Sequence, residues 1–329
     1  MFENETRPSL TTGPPEDADE LLAAMLTIRW FEDDVKSLFS QNLVRGSTHL
    51  CQGQEAVTVG VARALRPGDT MTCTYRGHGA ILAHGSAIDR CFGEILGKTE
   101  GLCGGRGGSM HFTDISIGAL GSNAIVGAHL PITVGAALSA SILKTGSVSV
   151  AYFGDGATNI GAFHESLNLA SIWKLPAIFV IENNQYGEYS PQASTTPIDR
   201  LADRAASYGM PGVFVDGNDV VAMRSVAGEA AERARAGKGP TLIEADTYRH
   251  EGHSRSDPAA YRPEGELDKW LERDPITRLE NAMKLNDSNA DQRIAKIRQA
   301  VRSEVSAARE RAIAWPTPDA EDRLRDVYA

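Results

Sequence analysis

The chain has few cysteines, no excess of positive charge and no long apolar run, and each shortage closes off a class of protein. Its four cysteines, Cys51, Cys73, Cys91 and Cys103, never form a C-x-x-C pair. A chain of 329 residues with 42% hydrophobic content buries a large core without disulfide staples. Reduced thiols and a cytoplasmic location are the expectation. Lys and Arg number 33 against 43 Asp and Glu, a net charge of −10, which excludes a nucleic-acid surface built on bulk positive charge. No apolar stretch reaches membrane-spanning length, so no membrane partner is expected. The first twenty residues set Glu3, Glu5, Glu16, Asp17, Asp19 and Glu20 against Arg7 alone, which reads as neither a signal nor a transit peptide.

What is present is alternation. Leu21, Met25, Ile28, Val35, Leu38 and Phe39 form a helical stripe, predicting a first helix to about Val44 with Asp17 or Asp19 as N-cap. A helix over 54–65 stops at Pro67-Gly68, and 70–75 reads as a strand followed by a loop over 75–79. Five glycines within 101–108 are too many for a regular element and imply that something approaches this backbone closely. A buried helix is predicted over 128–143. Strand 148–153, the turn Gly154-Asp155-Gly156, helix 159–173 and strand 177–181 then make a βαβ unit. Helix 198–208, strand 212–215, helix 219–235 and strand 241–247 repeat the pattern, so the expected fold is α/β, a mostly parallel open sheet with helices on both faces. The polar stretch 248–266 reads as a functional loop or a disordered one. The expected division is an N-terminal helical extension (1–45), a ligand-binding domain (46–285) and a C-terminal helical segment packed on it (286–329).

Ligands of parallel sheets bind at the carboxyl ends of the strands, where Gly154-Asp155-Gly156 falls, just before a helix. Flanking glycines let main-chain N–H groups reach anionic oxygens, and the Asp155 carboxylate suits a Mg²⁺ that bridges a diphosphate. Asn183-Asn184 ends the next strand. Neighbouring strands lie about 4.8 Å apart, so Asp155 and Asn184 can meet around one ion despite the 28 residues between them. One oxygen each from Asp155, Asn184 and the Tyr186 carbonyl, two phosphate oxygens and a water would complete an octahedron. Taken singly, Gly-Asp-Gly is more often a tight turn and Asn-Asn a polar loop. Their spacing as a pair reverses that weight.

The run Gly154-Asp155-Gly156-Ala157-Thr158-Asn159 through Trp173-Lys174-Leu175-Pro176 to Glu182-Asn183-Asn184-Gln185-Tyr186-Gly187 resembles the α subunits of the thiamine-diphosphate-dependent 2-oxo-acid and acetoin dehydrogenase family. So do Arg45-Gly46 through His49-Leu50, Gly53-Gln54-Glu55-Ala56, Tyr75-Arg76-Gly77-His78-Gly79, Gly107-Gly108-Ser109-Met110-His111, Ile125-Val126-Gly127-Ala128 and Gly252-His253-Ser254, in the family's order. The resemblance implies a thiamine-diphosphate-binding fold with Mg²⁺ on Asp155, Asn184 and the Tyr186 carbonyl. It places the diphosphate on Tyr75, Arg76, Gly156 and Ala157, and the aminopyrimidine ring against Ala124 and Val126. His49, His78 and His253 match histidines at the active-site mouth, His253 foremost, and the 101–108 loop becomes a cofactor-adjacent loop. A β subunit in an α₂β₂ heterotetramer, a lipoyl-bearing acyltransferase and a short 2-oxo acid or acetoin are the implied partners and substrate. Ser254 matches a region phosphorylated in mitochondrial relatives, but Arg255 weakens the transfer of that regulation.

Three other readings compete. A nicotinamide-dependent Rossmann dehydrogenase needs a third glycine where Asn159 stands and leaves Asn183-Asn184 unexplained. Zinc at His250-Glu251-Gly252-His253 lacks the H-E-x-x-H spacing. A silent cofactor-binding paralogue would have little use for Asp155, Asn184, Arg76 and His253 together. His84 and His164 read as helix residues without chemistry.

Overall fold

The computed structural model describes residues 8–44, 46–285 and 287–324. The strands are β1 (Thr70–Thr74), β2 (Ala119–Asn123), β3 (Ser149–Gly154), β4 (Ala177–Asn183), β5 (Tyr186–Gly187), β6 (Ser190–Pro191), β7 (Gly212–Asp216) and β8 (Thr241–Asp246). The α-helices are α1 (Ala18–Ser40), α2 (Glu55–Ala64), α3 (His78–Ala83), α4 (Ile88–Ile95), α5 (His129–Leu143), α6 (Gly161–Ile172), α7 (Gln192–Thr195), α8 (Val220–Arg235), α9 (Glu266–Leu271), α10 (Pro275–Lys284) and α11 (Ala290–Ala314). Six strands form one parallel sheet in the order β2-β1-β3-β4-β8-β7, and β5 and β6 make a small hairpin beside its carboxyl edge.

Period-two burial along β3 shows why the sheet is covered on both faces. Val150 and Tyr152 enter the apolar cluster shared with α1, α2, α8, α10 and α11, whereas Ala151 and Phe153 enter the one shared with α5 and α6. Caps set the helix ends: Asp219 accepts the N–H groups of Val221 and Ala222 to start α8, and Asp274, followed by Pro275, does the same for α10.

The structure departs from expectation at several edges. Helix α1 ends at Ser40, short of Val44, because Asn42 adopts a left-handed conformation and the Asn42 and Leu43 N–H groups fold back to the Phe39 and Leu38 carbonyls. Asp17 stands at its N-cap position, but its carboxylate pairs with Arg224 instead of capping. His78 opens α3 where a loop is expected, and 155–159 forms a 3₁₀ turn before α6. The 201–208 segment is likewise 3₁₀. Helix α5 is only half buried: Ile132, Ile142 and Leu143 lie on the surface, the last two at 69% exposure. Among the described residues no helix is long and apolar enough to cross a membrane.

Candidate active site

The sheet has a switch point between β1 and β3: from β1 the chain crosses outward to β2, and from β3 it crosses the other way to β4. Such reversals open a crevice above the strand tips. A cavity of about 590 Å³ lies there, lined by Tyr75 and Arg76 after β1, Asp155 to Ala157 after β3, Glu182 of β4 and Asn184 just after it. Ala124, Val126, Tyr186, His49 and His253 complete the set of expected residues along its walls. The structure thus gathers into one crevice residues drawn from six separate stretches of sequence. A larger cavity, about 1240 Å³, lies at the opposite ends of the strands around Asp69 and His84. Asp69 and Asp89 there are already paired with Arg235 and Arg311.

Register explains the meeting of Asp155 and Asn184. Gly154 is opposite Glu182 in the β3–β4 ladder, so both motifs leave the sheet at the same level. The Thr158 hydroxyl donates to the Asp155 carbonyl at 2.8 Å and holds the turn. Gln185 takes a φ of 77°, fixed by its own amide on the Asn183 carbonyl and Asp246, and carries the chain from Asn184 into Tyr186. Gly156 and Gly187 pass so close that a Cβ on either would lie 3.3 Å from the other's Cα. Side chains are thereby kept out of the space beside Asp155.

Asp155 is buried, and its Oδ2 has no hydrogen-bond partner. Burial pushes its carboxyl up to about 6, with the charges of Arg249 and Arg76 pulling the other way. An oxygen in that position calls for a cation. The available donors are all oxygens, namely Asp155, the Asn184 amide and the Tyr186 carbonyl, a set suited to Mg²⁺ rather than to a softer metal. Among the described residues no three His, Cys, Asp or Glu side chains cluster as a metal site.

Above these oxygens stands a group of rings. His49 lies 4.3 Å from Tyr75 and 5.0 Å from His253 between ring centroids, and Tyr189 lies 6.0 Å from His253. Burial, then the Arg76 charge, lowers His49 to about 3, and burial, Arg76 and Arg249 lower His253 to about 4. Both are neutral at physiological pH, and both present a buried Nδ1 without a partner. Arg76 donates to the Leu50 carbonyl at 2.6 Å and to the His253 carbonyl at 2.8 Å, tying the two histidine segments together.

The stretch 248–266 is irregular but tightly held. Arg262 donates to the carbonyls of Arg249, His250 and Glu251, and Tyr261 donates to Asp257. Arg249, a cavity residue that sequence reasoning missed, is 1% exposed, with its guanidinium on the Glu188 and Glu251 carbonyls and the Tyr261 oxygen. Glu182 and Gln54 also line the cavity, although the sequence placed them only within the family motifs and gave neither a role at the site.

Two expected members lie elsewhere. His78 is 1% exposed and does not line the cavity. Its Nδ1 is 2.9 Å from Glu32 and its Nε2 2.9 Å from the Ser109 hydroxyl. The glycine-rich 101–108 loop is also absent from the cavity wall. Its N–H groups converge on an internal anion, the buried Glu94 carboxylate.

Fold and crevice together define an α/β chain with a polar cavity at a sheet switch point. The family model described as "Dehydrogenase E1 component" matches residues 23–321, and the chain belongs to that family. The family implies thiamine diphosphate as cofactor. Similar proteins include the acetoin:2,6-dichlorophenolindophenol oxidoreductase α subunit of Bacillus subtilis, 47% identical over 92% of this chain and 91% of that one. The protein of the same name from Cupriavidus necator is 42% identical over 95% and 96%. The pyruvate dehydrogenase E1 component α subunit of Rhizobium meliloti is 38% identical over 95% and 90%. The Rossmann dehydrogenase reading is thereby set aside.

Proposed function

We propose that this chain is the α subunit of a thiamine-diphosphate-dependent dehydrogenase that cleaves acetoin or a short 2-oxo acid and passes the acyl group to lipoamide on an acyltransferase partner. The observation that carries the site is the unpartnered, buried Asp155 oxygen at the level where β1, β3 and β4 end together. Asp155, the Asn184 amide oxygen and the Tyr186 carbonyl would hold Mg²⁺. Tyr75, Arg76 and the main chain at Gly156 and Ala157 would hold the diphosphate, and Ala124 and Val126 the aminopyrimidine. When bound, thiamine diphosphate supplies a carbon nucleophile and, in its cationic ring, a sink for the electrons of the bond that breaks.

The chain's own part is positioning and proton handling. Neutral His49 and His253 each carry one nitrogen that can donate to a substrate oxygen and one that can take a proton. Arg76 ties their segments together by donating to the carbonyls of Leu50, next to His49, and of His253. His78 serves at one remove, joining α1 to the loop that carries Met110 into the cavity wall.

A β subunit completes the site. The relatives are named as α subunits, and beside the cavity this chain exposes apolar surface that a partner would cover: Ile125 at 69%, Val126 at 40% and Ile132 at 47%. The α₂β₂ assembly with interfacial sites is carried over by analogy with the family. Calorimetry of the complex co-expressed with its β subunit, titrated with thiamine diphosphate with and without Mg²⁺, tests the cofactor. Turnover of acetoin against pyruvate tests the substrate.

A further inference from the structure

Gln54 and Asn184 are 130 positions apart, yet the Asn184 Nδ2 donates to the Gln54 Oε1 at 3.0 Å in a buried contact. Gln54 is 1% exposed and stands at the N-cap position of α2, but its side chain does not cap that helix. Its amide is turned to the cavity wall instead, beside Asn184 and Glu182. Burial raises the Glu182 carboxyl to about 7, the neighbouring Gln54 amide and the Arg76 charge opposing it.

The backbone around Gln54 is built to hold it there. Gly53 has a φ of 95°, and a Cβ on it would lie 2.2 Å from the Tyr248 carbonyl oxygen, so only glycine lets the chain press against the end of β8. The Thr247 hydroxyl donates to the Gly53 carbonyl at 3.0 Å, and the Gly53 N–H donates to Glu55 at 3.0 Å. Glu55 is itself buried and paired with Arg29, which also bonds Asp274.

An asparagine amide has two ends of nearly equal size, and only its oxygen binds a cation. With the NH₂ end taken by Gln54, the oxygen end is left on the side of the Tyr186 N–H, 3.3 Å away, in the turn that carries the Tyr186 carbonyl. We propose that Gln54 is a positioning residue, which selects the metal-binding orientation of the Asn184 amide; this rests on the reading of Asn184 as a Mg²⁺ ligand. The motif Gly53-Gln54-Glu55 thereby acquires a role: a glycine for close approach, a glutamine for orientation and a glutamate to anchor both.

The experiment uses the complex co-expressed with its β subunit and reads the Mg²⁺ concentration that half-saturates thiamine diphosphate binding by calorimetry. Gln54→Met keeps the volume and removes the acceptor, whereas Gln54→Glu keeps an acceptor oxygen for the Asn184 NH₂. Expected is a rise of about 10- to 100-fold for Gln54→Met, the range typical of partners that orient metal ligands. Gln54→Glu, which keeps the acceptor but loses the NH₂ that faces Glu182, is expected to fall between wild type and Gln54→Met. Thermal midpoints without Mg²⁺ serve as the packing control, and Gln54→Ala replaces Gln54→Met if the latter does not assemble. An unchanged Mg²⁺ requirement in Gln54→Met, or an equal loss in both variants, overturns the proposal. Wild-type binding that ignores Mg²⁺, matched by Asp155→Asn, overturns the metal site itself and the inference with it, an outcome recognised before any Gln54 variant is read.

Discussion

The Glu94 carboxylate accepts the Gly107 N–H at 2.6 Å, and its two oxygens also take the N–H groups of Cys103, Gly105 and Gly108. One buried side chain thus organises the glycine-rich loop from within, and the loop leads directly to Ser109 and its bond to His78. Glu94→Ala leaves four main-chain donors without their acceptor. Each lost hydrogen bond to a charged group costs about 1.5–3 kcal/mol before water replaces part of it, so a loss of about 3–5 kcal/mol is expected. Denaturant unfolding of the isolated chain measures it. A midpoint equal to that of wild type would show that the loop holds its shape without Glu94.

The buried Asp155 carboxylate makes opposite demands on stability and on binding. Without a cation the group is a charge in a poor environment, which its raised pKa of about 6 records. Asp155→Asn is therefore expected to leave the thermal midpoint of the cofactor-free protein unchanged or higher, while weakening Mg²⁺-dependent thiamine diphosphate binding by about 100-fold or more. Full retention of binding would remove Asp155 from the metal site.

The parts of this cavity that spacing alone pointed to are those set by one βαβ crossover, whereas Tyr75, Arg76, Ala124, Val126, His49 and His253 were expected only through the family resemblance. Gly154-Asp155-Gly156 and Asn183-Asn184 are the two ends of such a unit, and the ladder register carries them to one level without further information. Contacts across the fold left no such trace. Gln54 meets Asn184 only because the start of α2 is pressed against the ends of β4 and β8, and nothing in a local pattern reports that. The resemblance put His78 at the mouth of the same cavity, but the start of α3 turns it inward to Glu32. Glu94 carries no local signal either, since the N–H groups it accepts lie 9 to 14 residues further along the chain. Helix α5 reads as buried because small and aliphatic residues surround it, and composition does not say which of them face the core of this chain.

Two histidines outside the site make stability depend on pH. Burial lowers His84 to about 4, against the charge of Asp69, and lowers His129 to about 4, against its bond to the Tyr152 carbonyl. The ordinary value is about 6.5, so between pH 6.5 and 4 the unfolded chain binds protons that the folded chain refuses. Their contribution is fully present above pH 6.5 and is lost as pH falls through 4. Buried Asp155 and Glu182, raised to about 6 and about 7, work in the other direction over part of that window. The total is therefore less informative than a difference. His84→Gln retains a partner for the Tyr152 hydroxyl, which lies 2.9 Å from His84, and does not titrate. The stability of wild type relative to His84→Gln is expected to drop by about 2 kcal/mol between pH 7 and pH 5. A difference independent of pH in urea titrations would mean that His84 is not buried in its neutral form.

The exposed face of α5 separates folding from assembly. Ile132 and Ile142 are 47% and 69% exposed, so an acidic residue at either loses little packing within this chain, and the isolated protein should unfold within about 0.5 kcal/mol of wild type. If this face receives the β subunit, the same change places a charge in a desolvated apolar contact, which costs several kcal/mol at a core interface position. Ile132→Asp and Ile142→Asp are thus expected to give folded, monodisperse α chains that no longer co-purify with β. Because Val126 joins this face to the cavity wall, turnover should fall with assembly rather than with cofactor affinity per assembled site. Normal co-purification of both variants would move the interface to another surface of the chain.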